Sequence, residues 1–92
     1  MTYKIVFSPH ATRDYKKLPP ELKPAIREAV EALARAPLHG PKVKLLKGRL
    51  RAYWRYRVGD YRMLYAVDTA QRIVYVDALQ HRRDVYRDAK SS

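Results

Sequence analysis

Leu50-Arg51-Ala52-Tyr53-Trp54-Arg55-Tyr56-Arg57-Val58 reads as a β-strand with two unlike faces. Successive side chains point to opposite sides of a strand, so Leu50, Ala52, Trp54, Tyr56 and Val58 share one side. Arg49, Arg51, Tyr53, Arg55 and Arg57 share the other. The first side is apolar and predicts contact with a helical layer. The second is basic, with Tyr53 as its aromatic member.

Working outward, Gly59-Asp60 predicts a turn, Tyr61 to Asp68 a second strand and Thr69-Ala70-Gln71 another turn. Arg72 to Leu79, with Ile73-Val74-Tyr75-Val76 at its centre, predicts the last strand. Turns this short make the three strands an antiparallel meander. Residues 80–86 then leave the sheet and enter a short C-terminal helix. Upstream, Leu38-His39-Gly40-Pro41 is a loop, and Lys42, Lys44 and Lys47 lead from it into the basic strand. Leu22, Ile26, Ala29, Val30 and Leu33 form the apolar stripe of one helix, ended at Ala36-Pro37. Ala11, Tyr15 and Leu18 form the stripe of a shorter one, broken at Pro19-Pro20. Ser8-Pro9 opens it: Ser oxygen can accept an orphan N–H, and Pro lacks a donor that has no use there. Tyr3, Ile5 and Phe7 mark a first strand. The order β-α-α-β-β-β predicts an α+β fold, with an antiparallel sheet packed on a helical hairpin and its other face partly open.

Ninety-two residues make one domain, spanning 1–92. Twenty Lys and Arg against nine Asp and Glu give a formal charge of +11, which implies an anionic partner. Cysteine is absent, excluding disulfide scaffolds, thiolate metal sites and Cys nucleophiles. No two His share metal-ligand spacing and the acids are scattered, so no metal site is expected; three Gly leave no phosphate-cradling loop, so no cofactor is expected either. No apolar run reaches the ~20 residues of a membrane span and no secretory leader is seen, so the reading is cytoplasmic, with no membrane partner.

The chemistry concentrates in two places. Arg49, Arg51, Arg55 and Arg57 lie on one strand parity, Arg62 begins the neighbouring strand, and Lys44 and Lys47 precede them. Guanidinium groups crowded together repel one another and suit phosphate, whose oxygens match the planar donor fork. The same pattern also describes a solvated polar face, although such faces usually mix signs, and Asp60 is the one acid between Lys42 and Asp68. The second place is His81-Arg82-Arg83-Asp84-Val85-Tyr86. Cleaving RNA through its own 2′-OH needs a base, cations for the phosphorane charge and an acid for the 5′-oxygen; His and Tyr can move protons and Arg can hold charge. The competing reading has these groups only charging a terminal helix while Tyr86 packs on the sheet.

The chain resembles the RelE/ParE superfamily of toxins from bacterial toxin–antitoxin pairs, its RelE-like branch in particular. Four segments carry the likeness: Phe7-Ser8-Pro9 with Ala11, Lys44-Leu45-Leu46-Lys47-Gly48, Tyr56-Arg57-Val58-Gly59-Asp60-Tyr61-Arg62, and His81 to Tyr86. The resemblance implies a microbial-ribonuclease-like fold and ribosome-dependent cleavage of mRNA in the A site, with a cyclic phosphate product and translation halted. It also implies roles. Arg62 and Arg82 match phosphate-binding arginines, Tyr86 matches a C-terminal Tyr at the reaction centre, and Arg55 falls where some members carry a proton-transfer group. Tyr53 stands where the best-known branch has a Lys, and an Arg with its pKa above ~12 transfers protons poorly. His81 becomes the candidate base, with Tyr86 as acid or substrate clamp. Lys44, Lys47, Arg49, Arg51, Tyr53, Arg57 and Arg83 are the expected RNA contacts. The implied partners are an acidic antitoxin in a hetero-oligomer, the ribosome and mRNA. Two alternatives remain: a ParE-like inhibitor of DNA gyrase without nuclease chemistry, and a non-catalytic RNA-binding module.

Overall fold

A computed structural model of the chain describes residues 2–46 and 53–84. Lys47, Arg49, Arg51 and Tyr86, four of the expected site residues, lie outside them, as does the first part of the strand expected from Leu50. The elements run β1 (Lys4–Phe7), α1 (Pro9–Lys17), a 3-10 turn (Pro20–Leu22), α2 (Lys23–Arg35), β2 (Val43–Leu45), β3 (Trp54–Val58), β4 (Tyr61–Asp68) and β5 (Ile73–His81). Residues 82–84 then turn helical. The five strands form one sheet in the order β1-β5-β4-β3-β2.

The alternation in β3 works as expected. Trp54, Tyr56 and Val58 join the main core with Ala11, Leu18, Ile26, Ala29 and Leu33 of the helical layer. Each large apolar side chain buried fully in it, such as Ile26 or Leu33, is worth about 1.5–3 kcal/mol against exposure. Tyr65, fully buried in the same core, donates its hydroxyl to the Pro37 carbonyl at 2.6 Å and so pins the chain beyond α2 to the sheet.

Three features depart from expectation. First, the stretch read as a lead-in loop contains β2, antiparallel to β3, so Lys44 is a strand residue opposite Arg55. A three-residue strand after Pro41 carries too short a pattern to stand out. Second, β1 joins the sheet parallel to β5, so the sheet is mixed rather than wholly antiparallel. Third, β5 runs two residues beyond Leu79 and carries a bulge: Leu64 pairs with Ala78 but Tyr65 with Val76, leaving Asp77 without a partner. An extra residue reverses the parity of everything after it. Val74 and Val76 face the core before the bulge, and Leu79 faces it after.

Ser8 ties α1 to that bulge. Its side chain accepts from the Ala11 N–H at 3.0 Å, capping the helix as expected, and donates to the Asp77 carbonyl at 2.9 Å. Past Phe7, where β1 ends, β5 loses its parallel neighbour. There Asp14 of α1 takes over, its carboxylate accepting from the Leu79 N–H at 3.0 Å.

Candidate functional site

The face of the sheet turned away from α1 and α2 carries the cations. Cross-strand register aligns Lys44 with Arg55 and Arg57 with Arg62. Four cations from three strands therefore share one side. Directly opposite residues have Cβ atoms about 4.5–5.5 Å apart, and like charges so placed are destabilising. Arg55 is half-buried; its Nη1 reaches the Lys42 carbonyl at 3.4 Å, while its Nε is buried without a hydrogen-bond partner among the described residues. A buried N–H in that state is an invitation to an acceptor. A small apolar patch of Leu46, Leu64 and Ala78 lies on the same side, with Tyr53 packed against it.

The Gly59-Asp60 turn draws two further groups together. Gly59 adopts φ 57°, a conformation that L side chains rarely take. Arg62 folds back over the turn, donating through Nη1 to the Gly59 and Tyr61 carbonyls, both at 2.9 Å. On the far side of the turn, the Arg82 N–H donates to the Asp60 carbonyl at 2.7 Å, and Arg82 Nε lies 3.7 Å from Asp60 Oδ1. Both partners of that ion pair are largely exposed, so it adds little to the stability of the fold. Arg62 and Arg82 thus border the same two-residue turn.

His81 stands apart from them. It pairs with Tyr61, and the two rings meet edge-on with centroids 5.5 Å apart. Tyr61 packs on the main core, so His81 faces the helical layer, while Gln80 occupies the position beside Arg62. The bulge at Asp77 is the cause: strict alternation from Val74 would put His81 on the arginine side. Its imidazole borders a cleft of about 470 Å³ with His10, Asp14, Lys17, Tyr61 and Asp84. Nδ1 accepts from the Arg83 N–H at 3.4 Å. Arg83 itself is exposed on the helical turn. Burial, helped by the nearby Tyr56, pushes the Tyr65 phenol well above the usual tyrosine range, which marks it as a structural hydroxyl. Among the described residues no group of three or more His, Cys, Asp or Glu is placed to hold a metal ion, and no helix is long and apolar enough to cross a membrane.

The structure therefore gathers Lys44, Arg55, Arg57, Arg62 and Arg82 along one side and one turn, and separates His81 from them. The residue pattern did not reveal Asp60 as the partner of Arg82 or Gln80 as the neighbour of Arg62. Asp60 was visible as the lone acid in a basic stretch; Gln80 carried no signal, because its position depends on the bulge.

The model of a known family, the ParE toxin of type II toxin–antitoxin systems, matches residues 5–86. Toxin RelG of Mycobacterium tuberculosis is 38% identical over 88 residues, covering 95% of this chain and 99% of that protein. In the solved toxin–antitoxin complex RelBE2 from the same organism, a chain superposes with a TM-score of 0.79 at 35% identity, covering 89% of this chain and 100% of that one. A chain of the archaeal RelE–RelB complex from Pyrococcus horikoshii gives a TM-score of 0.76 at 26% identity, over 89% of this chain and 97% of that one. The chain belongs to this family of type II toxins, and its relatives there are RelE-like.

Proposed function

We propose that the chain is a metal-independent endoribonuclease that cuts mRNA in the ribosomal A site and acts in the cytoplasm until an acidic antitoxin masks it. The observation that carries the reading is the cationic row: Arg57 lies directly opposite Arg62, with Lys44 beside Arg55 and Arg82 across the turn. Such a row is unfavourable alone and favourable around a phosphodiester. The relatives' solved complexes with RelB antitoxins support the partner.

In this reading the 2′-oxygen attacks phosphorus, the P–O5′ bond breaks, and a 2′,3′-cyclic phosphate and a free 5′-OH result. The 2′-OH proton passes to a base, and an acid protonates the departing 5′-oxygen. Arg62 and Arg82 hold the non-bridging oxygens. Lys44, Arg55 and Arg57, with Lys47, Arg49, Arg51 and Arg83, carry the flanking phosphates. Tyr53 and Tyr86 meet the bases and the reaction centre. His81 serves as base only if the substrate reaches round the end of β5, so its substitution tests that role separately.

The test is a purified translation system supplied with ribosomes and mRNA, with RNA ends mapped. The expected result is fragments ending in cyclic phosphates, reduced about 10²–10³-fold by Arg62→Ala, as for loss of one group stabilising transition-state charge. Two observations favour a second reading. His81 lies on the helical side of the sheet, away from the arginine row, and the matching family model is that of ParE. Inhibition of gyrase supercoiling with intact mRNA would establish that reading and refute the nuclease.

A further inference from the structure

A second basic feature lies on the helical side of the sheet, away from the row described above. A cleft of about 290 Å³ opens between the last turn of α2, the loop leading to β2, and Tyr56 of β3. Arg35, His39 and Lys42 border it from three successive segments of backbone, and no Asp or Glu is among the described residues that line it. Ala32, Ala36, Val43 and Tyr56 are among its other lining residues. The loop is held in shape: Gly40 takes φ 130°, and its carbonyl accepts from the Val43 N–H at 3.2 Å.

We propose that this cleft is a binding site for a phosphate group of RNA, separate from the arginine row. The simplest rival explanation is that these cations only offset the carbonyl end of α2. A helix C-terminus carries roughly half a negative charge. Arg35 and Lys42 together bring two positive charges, and His39 adds an N–H donor or a third charge. The cleft stays net positive after the helix is counted. The site also joins the arginine row through the backbone, since the Lys42 carbonyl accepts from the Arg57 N–H at 2.9 Å and from Arg55 Nη1 at 3.4 Å. Lys42 stands two positions before Lys44 at this edge, level with Arg57, so an RNA strand crossing the β2 edge passes from Lys44 and Lys42 to His39 and Arg35. Tyr56, partly buried against the main core, also lines the cleft.

The choice of RNA as source of the phosphate rests on the nuclease reading; the anion site itself does not. The experiment is therefore run in two arms on the full chain, comparing the parent with the double variant Arg35→Gln, Lys42→Gln. In the first arm, inorganic phosphate is titrated at constant ionic strength while backbone amides are followed by NMR. Saturable shifts at 39–43 in the parent and none in the variant are expected; equal shifts in both, or none in the parent, overturn the site. In the second arm, affinity for a single-stranded RNA is measured against salt. One lost phosphate contact reduces the log–log slope by about 0.7, so between 50 and 200 mM salt the variant loses about 2.6-fold less affinity than the parent. An unchanged slope beside a positive phosphate arm assigns the site to free anions and overturns the RNA source. Parental RNA binding with lost affinity for an acidic peptide makes it a protein-docking surface and overturns the proposal. Cleavage by the double variant is scored separately, so failure of the nuclease reading does not disguise the result here.

Discussion

Arg57→Gln separates a working basic face from a merely solvated one. Arg57 lies directly opposite Arg62 in the β3–β4 hairpin, and opposed like charges on neighbouring strands cost about 0.2–1 kcal/mol. Gln keeps the polarity and much of the length while removing one charge. The variant should therefore be more stable than the parent by about 0.5 kcal/mol, or about 2–4 °C in Tm for a chain of this size. The gain is electrostatic, so it should fade as salt rises, because the screening length shrinks to about 3 Å at 1 M. The same substitution should weaken RNA binding and lower its salt slope by about 0.7. Thermal melts at 20 mM and 1 M salt, paired with RNA titrations, read both effects. A variant less stable than the parent, or stabilised equally at both salts, would refute the argument that the row is held together against its own repulsion.

Three further expectations follow from the geometry. An ordinary tyrosine ionises near pH ~10, and burial keeps folded Tyr65 protonated beyond that. The folded state then holds a proton that the unfolded chain has lost, so this contribution is intact below pH ~10 and falls above it by about 1.4 kcal/mol per pH unit. Urea unfolding between pH 9 and 11.5 should show that slope in the parent and a shallower one in Tyr65→Phe. Ser8→Ala removes the cap of α1 and the bond to the bulge, and should cost about 1 kcal/mol with no change in the RNA salt slope, as read by denaturant melts beside RNA titrations. Asp60→Asn releases Arg82 from its exposed partner; stability should move by less than about 0.5 kcal/mol while RNA binds more tightly, and weaker binding would make Asp60 an orienting group the site needs.

Much of this was legible in the residues themselves. The period-2 pattern through Trp54, Tyr56 and Val58 identified the core-facing side of β3 without reference to any neighbour, because alternation is a local property. Ser8-Pro9 marked the start of α1 for the same reason: a cap is set by adjacent atoms. What escaped was set by distant partners. β1 lies parallel to β5 only because the chain crosses over through two helices, and nothing in Lys4–Phe7 states which strand it will meet. The bulge at Asp77 has no glycine to announce it, yet it decides which side His81 and Gln80 occupy. Arg62 and Arg82, twenty positions apart in the chain, meet at one turn through the pairing of β4 with β5, a long-range consequence of register.

The carboxylate of Asp14 on the Leu79 N–H has a bearing on how the molecule behaves in a crowd. A strand that outruns its neighbour bares donors to any extended segment drifting past, and intermolecular pairing at such margins is a common route to aggregation. Filling that donor from an adjoining helix closes the margin with a charged group. Loss of Asp14 should therefore show first in the shelf life of concentrated samples, as turbidity, before it shows in melting temperature.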